Sequence, residues 1–354
     1  MPSRRWTFAL ALALAMALAF VAFAASAQTP EGGLSFSHKD WQLACDNTGT
    51  CRAAGSQADE ADHATGVSLL LTRKAGARQP VTAWLKLANW SDESRAAKLP
   101  EGSRLSMFVD GRALGAVAWV PDSDGLALNA EQTESLLQAL VGTGNIVWKA
   151  GDCAWTLSNR GATAVLLKMD EFQGRVGSWG ALVDFGENDE SAVRQPLAPP
   201  VVPAAATDDG FVAFSAEQKR QLLRELRAGQ SNCAALANEE NLSVRHLNRD
   251  RLLVAAACWS AGYNRGSGFW VVNAKAPFLP VLVTEWGTRY GAGVIGASQK
   301  RRGLGDCWDH QEWVWDGAAF VQTSLKETGM CRLIAPGGAW ELPTRVTTVV
   351  PAGR

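Results

Sequence analysis

The chain has 354 residues, with 34 basic and 35 acidic side chains and a formal net charge of −1 at pH 7. A net charge so close to zero creates no strong electrostatic field that would attract nucleic acid or an anionic membrane, so neither is expected as a partner. An apolar fraction of 47% is enough for ordinary hydrophobic cores. At about 100–200 residues per domain, the length predicts two domains.

The first 27 residues have the layout of a secretory signal. Arg4 and Arg5 precede an almost wholly apolar run over residues 6–25, and Ala25-Ser26-Ala27 offers the small side chains of a cleavage site. The run is also long enough for an uncleaved membrane anchor, but no polybasic stop follows it. We therefore expect a mature chain that begins near Gln28. Removal of two arginines leaves 32 basic side chains against 35 acidic ones, a net charge of −3.

The pattern after the signal is mostly that of β-strands. Val67–Thr72 and Val81–Leu87 are apolar or β-branched runs of strand length. Two further runs, over residues 104–109 and 112–120, flank Asp110-Gly111. Because an Asp-Gly pair readily adopts the positive φ angles of a type I′ turn, it predicts a hairpin here.

Two helices are predicted next. Asn129 can cap Ala130–Val141, in which three leucines share one face. A second helix is predicted from about Gly161 to Phe172, and Gly174 can end it in a left-handed conformation.

A proline-rich segment over residues 195–210 marks the clearest boundary. It contains four prolines and is expected to be extended and poor at forming helix or sheet. The predicted organisation is a signal peptide (1–27), an N-terminal β-rich domain with two helices (28–194), a linker (195–210) and a C-terminal α+β domain (211–354).

The C-terminal domain is predicted to open with one helix and to continue as strands. Ser215 can cap Ala216–Ala228, and Asp316-Gly317 marks a second hairpin. Predicted strands lie at 254–259, 269–272, 281–286, 294–297, 312–315 and 320–325. The fold class is therefore α+β and β-rich, with two domains of antiparallel sheet, a few amphipathic helices and reinforcement by disulfides.

The seven cysteines of an exported chain raise the question of disulfides. The simplest assignment joins sequence neighbours and leaves Cys153 free, although sequence alone leaves other pairings open. Cys153 has no adjacent cation, so a buried, inert thiol is favoured. The assigned pairs are Cys45–Cys51, Cys233–Cys258 and Cys307–Cys331.

No motif in the sequence identifies a reaction, a cofactor or a metal. Gly291–Gly296 has the Gly-x-Gly-x-x-Gly pattern of a dinucleotide-binding loop, which must be followed by a helix. The segment that follows is polar and interrupted by glycines, which favours a strand and turn instead. Asp122–Gly125 resembles the start of a calcium loop but lacks the later glycine and glutamate, so a turn is favoured. We find no nucleophile elbow and no histidine pair at metal-ligand spacing.

Two polar segments are candidate binding sites. Asp170, Gln173 and Arg175 cluster at the end of the second helix, where they could hold a peptide or sugar. The favoured alternative is a helix end at which Arg175 faces the helix carbonyls. Trp308 and His310 lie in the second segment, over residues 301–310, for which the alternative is a solvated loop anchored by its cysteine.

Several blocks of sequence resemble a known family. The segments SFSHKDWQLACDNTGTCRAAG, MDEFQGR, CWSAGYN and RGLGDCWDHQEWVWDGAAF are similar to those of exported bacterial proteins of domain-of-unknown-function family 1176. The resemblance covers nearly the whole mature chain. It implies export and six characteristic cysteines, which leaves Cys153 as the extra one, but no reaction. The N-terminal domain also resembles the invasion-associated locus B proteins.

These observations favour an exported soluble protein of the bacterial cell envelope, periplasmic or secreted, that binds an envelope protein, peptide or glycan. An enzyme is the less favoured class. The alternative is an envelope hydrolase, or a hydrolase inhibitor, that acts on peptidoglycan or peptide. A catalytic cleft should contain a titratable group with a displaced pKa, whereas a binding module should show an aromatic or apolar patch.

Overall fold

The structure is a computed structural model and describes residues 32–61, 65–88, 104–119, 125–229, 231, 233–237 and 242–351. The expected signal peptide, His63 and most of the calcium-like segment at 122–125 lie outside the described residues.

The described part of the N-terminal half consists of antiparallel strands and two helices. The helices are α1 (Ala130–Val141) and α2 (Ala162–Gln173). The strands are β1 (Leu34–His38), β2 (Trp41–Cys45), β3 (Cys51–Ser56), β4 (Val67–Arg73), β5 (Val81–Leu87), β6 (Ser106–Val109), β7 (Arg112–Ala116), β8 (Ala118–Trp119), β9 (Leu126–Ala127), β10 (Ile146–Ala150) and β11 (Cys153–Leu157).

These elements enclose one hydrophobic core. The larger sheet has the strand order β1-β2-β3-β4-β5-β9-β8, and the smaller sheet has the order β11-β10-β6-β7. The core contains Trp41 from the larger sheet, Trp148 from the smaller one, Leu136 from α1 and Leu166 from α2, all fully buried. The apolar faces read from the sequence therefore meet between the sheets and the helices.

The predicted strand over residues 112–120 is wrong in one respect. β7 ends at Ala116, and β8 pairs with β9 in the larger sheet instead of continuing in the smaller one. Gly115, the penultimate residue of β7, has φ +81°. The pairing of β6 with β7 shifts register nearby, and an irregularity of this kind bends a strand away from its partner.

In the C-terminal half, the described residues form one long helix and two antiparallel sheets. The helix is α3 (Ala216–Ala228), and a 3-10 helix follows at Ala234–Ala237. The strands are β12 (Val201–Pro203), β13 (Ser243–His246), β14 (Arg251–Ala261), β15 (Asn264–Asn273), β16 (Val281–Gly287), β17 (Arg289–Gly291), β18 (Val294–Lys300), β19 (Trp308–Trp315), β20 (Phe320–Glu327), β21 (Leu342–Arg345) and β22 (Thr348–Val350).

The first of these sheets, β13-β14-β15-β16, is covered on both faces. Leu222 and Leu226 of α3 pack against one face, where they form a core with Val254 and Trp270 of the sheet. The other face packs on the sheet β17-β18-β19-β20-β21 through a core that contains Trp315. The glycine-rich segment 291–296 forms the hairpin between β17 and β18 and does not precede a helix.

The proline-rich segment is held to the rest of the chain by hydrogen bonds. β12, within it, pairs in parallel with β22, which corrects the expectation that this segment takes no part in a sheet. Farther along, the amide of Ala205 donates to the carbonyl of Trp315 at 2.8 Å, and the amide of Asp209 donates to the backbone carbonyl of His246 at 3.0 Å. The division into two domains stays a prediction, and the described residues from Gly32 onward form a compact unit.

A polar interface joins the two halves. Asp40 accepts from the guanidinium of Arg332 at 2.9 Å, and Gln42 donates to Glu327 at 2.9 Å. A small apolar cluster, in which Leu342 packs on Ala44 and Ala54, lies beside them. The C-terminal half therefore covers the outer face of the larger N-terminal sheet at β2 and β3.

The β-rich α+β fold class is confirmed, and its three disulfides are those favoured from the sequence. They join Cys45 to Cys51, Cys233 to Cys258 and Cys307 to Cys331. Cys153 is free but only half-buried, so the expectation of a buried thiol is wrong. Its position at the start of β11, at the hairpin end, leaves one side open to solvent.

Candidate functional site

The first candidate segment forms a buried charged cluster. Asp170, Gln173 and Arg175 are fully buried, and the structure brings them together with Arg73 and Glu190. α2 positions Asp170 and Gln173 on its inner face, and Gly174 ends the helix with φ +69°, a conformation that suits glycine. The glycine helix end predicted from the sequence is therefore present.

Arg175 does not face the helix carbonyls, contrary to the favoured expectation. Its guanidinium donates to the carbonyl of Gly76 at 2.6 Å, to the side chain of Gln173 at 3.1 Å and to Glu190. Gln173 donates in turn to the carbonyls of Gly49 and Arg73. The reason is geometric: the left-handed turn at Gly174 directs the chain toward the β4–β5 connection instead of back along the helix.

Asp170 stabilises the chain that follows the helix. One carboxylate oxygen accepts the amides of Leu182 and Val183, at 2.6 and 3.1 Å. The other lies 3.6 Å from Arg73 and has no hydrogen bond. Burial raises the pKa of Asp170 above its usual value, against the amides and Arg73, which lower it. Burial, with the nearby Arg175 charge, lowers the pKa of Arg73 to about 10.

This arrangement favours a structural role for the cluster. Its charges are paired and sealed from solvent, so a ligand would reach them only if residues 176–190 moved away. A binding role for Asp170, Gln173 and Arg175 stays a prediction.

The second candidate segment is partly exposed. Trp308 and His310 lie two residues apart on β19, with their rings stacked at 5.9 Å between centroids. The Nδ1 atom of His310 is 2.9 Å from the hydroxyl of Ser298 on the neighbouring strand. Burial lowers the pKa of His310, and the charge of Lys326 lowers it further. The imidazole is therefore more readily neutral than a free one.

His310 borders an open cleft of about 460 Å³ where the two halves meet. Trp84 and Lys86, from β5, line its N-terminal side. The connection from β20 to β21 lines the opposite side with Trp340 and Glu341. We call this site the Trp84–Trp340 cleft. Trp308 does not line it but stacks on His310.

Hydrogen bonds and charges fix the walls of the cleft. The ammonium of Lys86 lies 4.9 Å from the ring centroid of Trp340. The indole of Trp340 donates to the hydroxyl of Ser68 at 2.8 Å. Glu341 pairs with Lys326. The cleft thus combines two flat aromatic side chains with charges of both signs, an arrangement suited to a sugar or a peptide.

Sequence reasoning missed most of this cleft. Trp84 lies in a predicted strand and Trp340 in a segment with no predicted element, and more than 250 residues of sequence separate them. The one available signal was the abundance of tryptophan, with 15 Trp against 2 Tyr. That signal does not say which indoles are left at a surface.

A group with metal-ligand atoms is present but does not suit a metal. Asp306, Cys307 and Cys331 lie together. The two sulfur atoms are bonded to each other, so neither is a thiolate. Asp306 pairs with Arg302 and accepts the amide of Leu333. This group belongs to the disulfide and its loop.

Comparison with known proteins identifies the family. The family model "Protein of unknown function (DUF1176)" matches residues 35–347. The chain belongs to this family. It is also similar to "Uncharacterized protein YpfG" of Escherichia coli (strain K12), at 27% identity over an alignment of 309 residues that covers 79% of this chain and 84% of that protein.

The other comparisons add little to the family assignment. No solved structure matches the chain. The likeness to the invasion-associated locus B proteins stays a prediction. In the part of the chain that the structure describes, no helix is long and apolar enough to cross a membrane.

Proposed function

We propose that this protein is exported to the cell envelope and binds a glycan or peptide of the envelope in the Trp84–Trp340 cleft. The observation that carries the proposal is the pair of tryptophans, one from each half, that line an open cleft beside Lys86 and Glu341. Aromatic faces pack against sugar rings and peptide side chains, and the charges supply orientation.

Export is supported by two independent features. Residues 1–27 have a positively charged start, an apolar run and small residues at the expected cleavage site. Three disulfides are expected where the environment is oxidising, as in the periplasm or outside the cell. Mass spectrometry of the exported protein should find an N-terminus at or near Gln28. Recovery of the intact chain in a membrane fraction would contradict cleavage.

Binding is tested with soluble peptidoglycan fragments and purified protein. Trp84→Ala should weaken binding by at least fivefold, because it removes one aromatic wall. Glu341→Gln should weaken only the fragments that carry a free amine. Trp119→Ala is the matched control, since Trp119 is an exposed tryptophan on β8 that does not line the cleft. Equal binding by Trp84→Ala and the wild type would exclude the cleft.

A second candidate function, an envelope hydrolase, is favoured by one observation. His310 borders the cleft with a lowered pKa and lies within hydrogen-bonding distance of a serine hydroxyl. Ser298, however, does not line the cleft, and for this reason we prefer binding. Release of new fragments from peptidoglycan by the wild type, abolished in Ser298→Ala, would reverse the preference.

A further inference from the structure

A second surface, distinct from the cleft, lies on the loop between α2 and the proline-rich segment. We define the aromatic–acidic loop as residues 176–191. Trp179 and Phe185 are 59% and 67% exposed, and Val176 is also exposed. Large aromatic side chains at this level of exposure contribute nothing to the core. Exposed aromatic groups of this kind are typical of protein interaction surfaces.

Hydrogen bonds hold the backbone of the loop, although it has no helix or strand. Its two limbs are joined by backbone hydrogen bonds, from Gly177 to Asp184 at 2.9 Å and from Trp179 to Asn188 at 3.1 Å. Below them, Asp170 accepts the amides of Leu182 and Val183. Because these hydrogen bonds already hold the loop backbone that carries Trp179 and Phe185, little backbone conformational entropy would be lost when a partner packs on them.

The buried cluster acts as the base of this loop. Arg175 and Glu190 lie at its two ends and pair with each other, and both are buried. Burial of charges is costly even when they are paired. Here the Arg175–Glu190 pair closes the loop that carries the two exposed aromatic side chains.

The charge of the loop indicates the chemistry of its partner. Asp184, Glu187 and Asp189 are exposed, and between Arg175 and Arg194 the sequence has no basic residue. None of these three carboxylates forms an ion pair with another described residue. An anionic lipid surface or a second copy of the same loop would be repelled. A cationic segment with apolar side chains would be attracted.

We propose that the aromatic–acidic loop is a docking site for a cationic protein segment that carries apolar side chains, through Trp179, Phe185 and the three carboxylates. The proposal does not depend on the Trp84–Trp340 cleft, and the two can fail separately.

The test uses the purified protein and a fluorescent peptide of four Arg-Leu repeats, followed by anisotropy. We expect saturable binding that weakens as salt is raised. Peptides of Glu-Leu or Arg-Gly repeats should bind at least tenfold more weakly. The first lacks the complementary charge, and the second lacks the apolar side chains.

Variants then locate the site. Trp179→Ala/Phe185→Ala should weaken binding of the Arg-Leu peptide at least tenfold, and so should Asp184→Asn/Glu187→Gln/Asp189→Asn. The control Trp119→Ala removes a tryptophan that is also 67% exposed and should leave binding unchanged. All of these side chains are exposed, so the variants should fold, which circular dichroism and thermal unfolding will verify.

Four results would overturn the proposal. They are no saturable binding to the Arg-Leu peptide, equal binding of the Glu-Leu peptide, undiminished binding by the aromatic double variant, and tight binding to zwitterionic vesicles that needs Trp179. The last result would identify a lipid surface instead of a protein segment.

Discussion

Single residues in the buried cluster show why sequence distance is a poor guide to partners. Arg175 and Glu190 are 15 residues apart but share a hydrogen bond in a buried site. Arg73, from a distant strand, lies 3.6 Å from Asp170 and 3.9 Å from Glu190. Each charge is balanced only because the other three are present, so removal of one leaves a buried charge without compensation.

Arg175→Ala should therefore lower the free energy of unfolding substantially, by about 3 kcal/mol. It leaves Glu190 buried and removes the hydrogen bond to Gly76. Urea unfolding measures the loss. Arg175→Ala/Glu190→Gln should lose less than the sum of the single changes.

The control for this prediction is Arg112→Ala. Arg112 pairs with Glu131 on an exposed surface, where ion pairs contribute little. Similar stabilities for Arg175→Ala and Arg112→Ala would contradict the structural role. If the cluster variant kept its stability but lost envelope binding, Arg175 would belong to a recognition site.

His310 should make stability depend on pH. Its folded pKa lies below the ordinary value of 6.5 because of burial and Lys326. Between these two pKa values the unfolded chain binds more protons than the folded chain does. The contribution of His310 to the free energy of unfolding is therefore full above pH 6.5 and declines as the pH falls toward the folded pKa. His310→Asn should show a smaller loss of stability than the wild type between pH 7.5 and 5.5.

The same urea measurements include a second variant. Lys326→Met removes a nearby cation and should raise the pKa of His310, which reduces the pH dependence. An identical pH dependence in wild type and His310→Asn would show that other groups cause it.

Short elements were predictable where their signals are local. The capping box of α1 has Asn129 accepting the amide of Gln132, while the Gln132 side chain accepts that of Asn129. Ser215 and Gln218 repeat this arrangement at α3. Asp110 and Gly111 both have positive φ, as a type I′ turn requires. Each of these signals depends on residues within a few positions of one another.

The disulfides tie such elements together, and Cys153 tests the pairing. Alkylation of the native protein followed by non-reducing peptide mapping should label Cys153 and no other cysteine. Cys153→Ser should keep all three bridges, whereas Cys307→Ala/Cys331→Ala should lower stability by about 3 kcal/mol. A bridge that involves Cys153 would contradict the structure.

The whole molecule depends on the interface between its halves. Arg332 reaches Asp40, Glu327 reaches Gln42, and the Asn47 amide exchanges two hydrogen bonds with the backbone of Val346. The Trp84–Trp340 cleft lies on the same boundary. Docking of the halves therefore creates the proposed binding site.

Cleavage of the connecting segment should leave the halves together. A protease site inserted after Ala206, an exposed position, gives two fragments that should co-elute in size exclusion because the interface is intact. Glu327→Ala/Arg332→Ala should release them at a lower urea concentration, and Arg112→Ala should not. Separate elution without denaturant would indicate two independent domains.

The sequence by itself determined the local features: the three α-helices with their ends, ten of the 22 strands that the structure describes and both Asp-Gly hairpins. It favoured the observed cysteine pairs without excluding others. These follow from backbone preferences, side-chain periodicity and short loops, which neighbouring residues control. Only the tertiary structure decided that Arg175 turns inward, that β8 changes sheets, and that Trp84 meets Trp340 across a cleft. These outcomes depend on burial and on contacts between distant segments, because the free energy of a buried charge or an indole is set by whatever packs around it.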